Sequence, residues 1–237
     1  MRRIGDVRDG AGVTDTGDHR SVGMVVVAVP DSADARLFVE LSSYGADLTE
    51  ARQTLELAIK GAEGNLLRDE APYLSGFAAL AYCRTYFPSK VRKPLTDHVA
   101  IPENLLDAHM LIGAFRNTTI ANSQSQLSTT YSIAIVEVAG MRLRDVQAVT
   151  VVQPLPGPLL VRFLDLVKTV DELLLEVIEP VRQRLMAEMR RNDLAGMVAE
   201  GKLPDIIDMS EADFNPRTKR QPYPTSDTRY WSESEPG

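Results

Sequence analysis

The chain has 237 residues, 44% of them hydrophobic and 25% charged, with a formal net charge of −7. Such an acidic balance excludes binding to nucleic acid by whole-surface attraction and leaves only a local basic patch for that purpose. A single cysteine, Cys83, excludes an intrachain disulfide and a thiolate metal cluster.

Other classes fall away on spacing. No apolar run approaches the roughly 20 residues of a membrane-spanning helix, and the run 24–29 is too short and too far along for an ordinary signal peptide. His19, His98 and His109 sit in separate contexts without metal-helix spacing, so neither a metal nor a cofactor is expected. The expectation is a soluble, cytoplasmic protein whose core relies on aliphatic side chains, because aromatic residues make up only 6% of the chain.

Residues 1–23 mix Gly, Asp, Arg and Thr without apolar periodicity and read as a mobile N-terminal arm. The β-branched run 24–29 can pair as an edge strand or tuck against the core, with the strand favoured. Leu37, Leu41, Tyr44, Leu48, Ala51, Leu55, Ala58 and Ala62 then alternate steps of four and three, which predicts a helix capped by Asp31 or Ser32 and stopping near Gly61 or Gly64. Gly45 should cost this helix about 1 kcal/mol relative to Ala, but the stripe keeps its phase across it. One long helix is therefore favoured over two. A second helix follows from Pro72 to Pro88, with Tyr73, Phe77, Leu80, Arg84 and Phe87 at helical spacing. In it Cys83 packs as a small hydrophobe, and Arg84, on or beside the stripe, is expected to snorkel.

The loop 88–100 carries Lys90, Arg92 and Lys93, which read first as solvated loop charges and at most as a modest phosphate-binding patch. Pro102 and Glu103 then open a third helical stretch, 101–126, with Leu106, Met110 and Gly113 on one apolar side. The segments 130–138 and 145–153 are β-branched and flank Gly140, predicting a β-hairpin near 129–153. After the Pro-rich run 154–158, Phe163, Leu166, Val167, Val170, Leu173, Leu174, Val177 and Ile178 mark a long core helix, which Pro180 should kink or divide before it ends near Asn192.

Residues 193–237 lose the pattern apart from a short helix near 194–199, and read as a mostly disordered tail. Tyr223, Tyr230 and Trp231, with Lys219 and Arg220 nearby, give that tail the means to contact a protein partner. The expected fold is mainly α: an up-and-down helical bundle over 24–192 with an inserted β-hairpin and flexible N- and C-terminal tails. No phosphate-binding GxxxxGK[ST], dinucleotide GxGxxG or hydrolase GxSxG pattern occurs.

The candidate site lies at Arg116-Asn117-Thr118-Thr119-Ile120-Ala121-Asn122-Ser123. This segment resembles the RNxxxAH signature of HEPN domains, small helical bundles. The resemblance implies a HEPN-like bundle, a homodimer that places two motifs in one cleft, and metal-independent RNA cleavage of the kind used in toxin–antitoxin, defence and RNA-processing systems. One departure changes that expectation. Asn122 stands where the family pattern has His, and an amide cannot exchange a proton near neutral pH. General acid–base work supplies about 10²- to 10⁴-fold in rate, so its loss moves the expected role from cutting RNA to holding it.

In that role Arg116, Asn117, Asn122, Arg84, Lys90, Arg92 and Lys93 are the candidate RNA- or nucleotide-phosphate-binding residues. His109 and Arg116 remain a candidate catalytic pair, although on a straight helix they stand roughly 10 Å apart along the axis. The alternative is a non-enzymatic helical dimerisation or adaptor protein acting through protein partners. Clustering of Arg116, Asn117, Arg84 and the 90–93 loop favours the first class, and their dispersal favours the second.

Overall fold

The computed structural model describes residues 24–63, 69–122, 125–201 and 203–231. The expected arm at 1–23 lies outside them. The fold is mainly helical, with a small antiparallel hairpin and one parallel strand pair. Helix α1 (Ala33–Glu63) runs unbroken past Gly45. Ser32 accepts the Ala35 amide on its hydroxyl at 3.1 Å, which satisfies a donor that the first helical turn leaves open. The predicted stripe is the buried one: Leu41, Tyr44, Leu48, Ala51, Leu55 and Ala58 are all fully enclosed.

Helix α2 (Ala71–Tyr86) has Pro72 in its first turn and ends ahead of Pro88. Helix α4 (Gly157–Met189) takes Pro180 in its interior without ending there. Both pack along α1, and α4 contributes Leu160, Phe163, Leu166, Val167, Val170 and Leu174 to one shared core. Between α2 and α4 in sequence comes helix α3 (Leu106–Phe115), preceded by a tighter 3-10 turn (Glu103–Leu105) and followed by one π-helical turn (Arg116–Ile120). The hairpin consists of β1 (Ser128–Glu137) and β2 (Arg142–Val152). Helix α5 (Leu194–Glu200) follows, then strands β3 (Asp205–Ser210) and β4 (Ser226–Trp231).

Three expectations need correction. The run 24–29 forms no strand; Val29 packs against the core, and its carbonyl accepts the Tyr223 hydroxyl. In α3 the buried positions are Ala108, Ile112 and Phe115, while Leu106, Met110 and Leu111 face outward. The inward face is thus rotated from the predicted one, because the preceding turn also buries Leu105 and sets the phase. Finally, residues 205–231 are not patternless. β3 and β4 pair in parallel across the 211–225 connection, and Phe214 meets Tyr230 edge-on at 5.3 Å. The signal was weak because these strands expose nearly every side chain, so no in–out alternation marks them. No described helix is long and apolar enough to cross a membrane.

Candidate functional site

The sequence-predicted residues separate into two groups on different sides of α2. The first faces α1. Arg84 donates through Nε to Asp47 Oδ1 at 3.0 Å and also engages Glu50, while Arg92 engages Asp47 from the other side and donates to Ser43 Oγ at 2.9 Å. The Arg92 guanidinium lies over the Tyr44 ring at 4.6 Å, and its salt bridge is largely enclosed. Asp47 therefore sits between two guanidiniums that it ties to the bundle. The exposed Arg84 head group is ion-paired. For Arg92, whose side chain is only 10% exposed, the cost of enclosing a cation explains the pairing, since a partly buried guanidinium needs both charge and hydrogen-bond acceptors.

Around this group the contacts are structural. Tyr44 donates to Lys93 O at 2.6 Å and meets Glu40 Oε1 at 2.9 Å, so it clamps the loop to α1. Burial raises the Tyr44 hydroxyl far above its ordinary range, and the Glu40 carboxylate adds to that shift. Arg220, from the connection before β4, reaches Ser43 Oγ at 3.4 Å. Lys90 and Lys93 point no ammonium into an ion pair among the described residues.

The second group lies along the C-terminal half of α2. His109 Nδ1 shares a hydrogen bond with the Tyr82 hydroxyl at 2.9 Å, and the imidazole packs edge-on to Tyr86 with ring centroids 4.7 Å apart. Burial lowers the His109 pKa, which favours the neutral ring. Seven residues on, Arg116 lies over the Phe87 ring at 4.9 Å and donates to Asn117 Oδ1 at 3.0 Å. The π-helical turn closes with Ala121 N donating to Arg116 O at 3.0 Å, and Asn122 Nδ2 donates to Asn117 O at 2.7 Å. Asn122 thus stitches the end of the helical stretch to its own backbone.

The turn packs Ile120 against α2 at Gly76, where an added Cβ would come within 2.7 Å of Ile120 Cδ1 and would require the end of that side chain to shift. Cys83 is buried nearby as expected, and burial pushes its thiol up to about 11, opposed by the Arg116 charge. A thiol held protonated is no nucleophile at neutral pH.

Arg116, Asn117 and Asn122 are brought together; Arg84 and Arg92 are held apart from them and neutralised by Asp47 and Glu50. No protein-family model matches the chain. No curated protein or solved structure matches it either. Among the described residues no group of His, Cys, Asp and Glu is arranged to hold a metal ion. A surface opening of about 560 Å³ lies between the start of α2 and the hairpin base, lined by Asp69, Ala71, Pro72, Tyr73, Thr150, Val152 and Pro154. It includes neither the Arg116 group nor a cation of its own.

Sequence reasoning missed the feature that dominates the surface. Both faces of the hairpin are exposed. Register places Tyr131, Ile133, Ile135, Val149 and Val151 on one face, and Ala134, Val136, Leu143, Val146 and Ala148 on the other. Tyr131 is 55% exposed, Val146 62% and Leu143 63%. The signal was present: β1 and β2 are apolar at successive positions as well as alternate ones, the pattern of a strand covered on both sides.

Proposed function

We propose that this protein is a non-enzymatic helical association module whose β-hairpin docks against protein. The observation that carries the reading is the hairpin itself. Two strands alone are marginal in water and usually need further strands or a packed face to persist. Here aliphatic and aromatic side chains occupy both faces without cover. An exposed apolar surface of this extent marks an interaction site rather than ordinary surface. Leu106, Met110 and Leu111 on the outer side of α3 add to the unburied apolar surface.

The candidate cations support the same reading. Two of the five lysine and arginine side chains named for phosphate binding, Arg84 and Arg92, have carboxylate partners, and the chain carries a net charge of −7. A polyanion would have to compete with Asp47 for both, and Arg92 is itself enclosed.

A second reading rests on one observation. Arg116 stacks on Phe87, is oriented by Asn117 and has no ion-pair partner among the described residues. It supports a HEPN-like bundle holding an RNA or nucleotide phosphate, with the guanidinium as the binding fork. Cleavage is disfavoured by the neutral, Tyr82-bound state of His109 and the amide at 122.

A photo-crosslinking amino acid placed at Tyr131, and separately at Arg116, in the full chain inside cells separates the readings. Protein adducts at position 131 are expected. RNA adducts at position 116 with none at 131 would reverse the order of the two readings.

A further inference from the structure

The two outer edges of the hairpin differ in chemistry. Gln153 N donates to Leu127 O at 2.7 Å, which fixes the phase of the ladder. With the observed register, the pairs Thr129–Val151, Tyr131–Val149 and Ile133–Gln147 exchange hydrogen bonds, so Ser128, Thr130, Ser132 and Ala134 turn their amides and carbonyls away from β2. From Thr129 to Val136 that edge carries no charge, no proline and no extra residue. β2 is different. It carries Arg142, Arg144 and Asp145, and the register step at Ile135/Val136 makes Arg144 the extra residue of a bulge. Charges and bulges are the devices that keep an edge from pairing; β2 has both within residues 142–145, whereas the single charge of β1, Glu137, is ion-paired with Arg144 at the hairpin tip.

We propose that the open edge of β1 pairs antiparallel with β1 of a second copy of this chain, about a two-fold axis near Ser132. The proposal rests on the association reading and names its partner. The strand is complementary to itself: reversed about Ser132, Thr130 faces Ala134, Tyr131 faces Ile133 and Thr129 faces Ile135. Its one charge, Glu137, meets no like charge in this register. A two-fold contact of this kind closes at two copies, and the charges and bulge at 142–145 of β2 disfavour growth of the resulting four-stranded sheet. The paired edge is roughly 30 Å long. An edge of that length and about 5 Å across contacts far less than a standard interface, which covers about 800 Å² per partner, so the dimer is weak and depends on concentration.

The test is sedimentation equilibrium of the full chain across about 1 to 200 μM, spanning the weak-affinity range. The wild type is expected to rise from monomer towards twice its mass. Ser132→Pro removes an outward-facing amide that the hairpin does not use, and proline is tolerated on an edge strand in that orientation. It is expected to stay monomeric. Ala148→Pro makes the same change on the other edge and is expected to dimerise like the wild type. Should Ser132→Pro disturb the far-ultraviolet circular dichroism, Thr130→Lys tests the same edge without touching the backbone. Dimerisation by both edge variants would overturn the proposal, as would a wild type that remains monomeric throughout. A monomer that still gives adducts to a different protein from position 131 would leave the association reading standing and remove only the second copy as partner. Loss of both signals would remove the two together.

Discussion

His109 is held by Tyr82 and walled by Tyr86, and burial lowers its pKa below the ordinary 6.5. A depressed histidine binds protons more readily in the unfolded chain, so its contribution to stability falls as pH drops below that ordinary value and levels off below the folded one. The acid-side decline in melting temperature between pH 7 and pH 5 should therefore be smaller in His109→Phe than in the wild type; equal declines in thermal scans would refute the assignment. Asp47 gives a second residue-level prediction. Asp47→Asn leaves Arg92, whose side chain is only 10% exposed, without its carboxylate and should cost about 1–3 kcal/mol in urea unfolding. Glu50→Gln, at a far more open pair, should cost no more than about 1 kcal/mol. Sequence inspection could single out Arg84 and Arg92 by their charge, but not their carboxylates. Asp47 lies 37 and 45 residues away from them in sequence, and nothing local links the three.

At the scale of elements, legibility followed burial. The stripes of α1 and α4 were readable because a helix with one covered face must repeat apolar residues at its own period, and the structure covers those very positions. Phe163, fully buried and edge-on to Tyr82 at 5.4 Å, ties α4 to α2. Truncating Phe163 to Ala should cost about 3–5 kcal/mol in equilibrium unfolding, and a loss under 1 kcal/mol would mean that this contact is not part of the core. The hairpin was readable from β-branched runs around Gly140, its outer limits to within a residue, but not its register or the start of β2. What failed was α3, where Leu106 and Met110 share the helical period with the buried face but point outward. Periodicity gives the repeat, while the neighbouring turn decides which side is covered. The β3–β4 pair failed for the opposite reason: exposed strands joined by a long connection leave no alternating pattern to find.

For the molecule as a whole, the sequence pointed to Arg116 and Asn117 as a site, and the structure gathers them with Asn122 at one end of α3 while holding Arg84 and Arg92 against α1. An exposed apolar surface lies elsewhere, on an arm whose roots are joined by the Gln153-to-Leu127 hydrogen bond. Because those roots are adjacent, a short Gly-Ser turn can replace residues 128–152 without stretching the bundle. The direct measurement is sedimentation velocity of the full chain beside this hairpin-replaced form, each checked for helical content by circular dichroism. Concentration-dependent association of the full chain, abolished in a replaced form that keeps its helices, is the predicted result; association that survives removal of the hairpin would contradict the account.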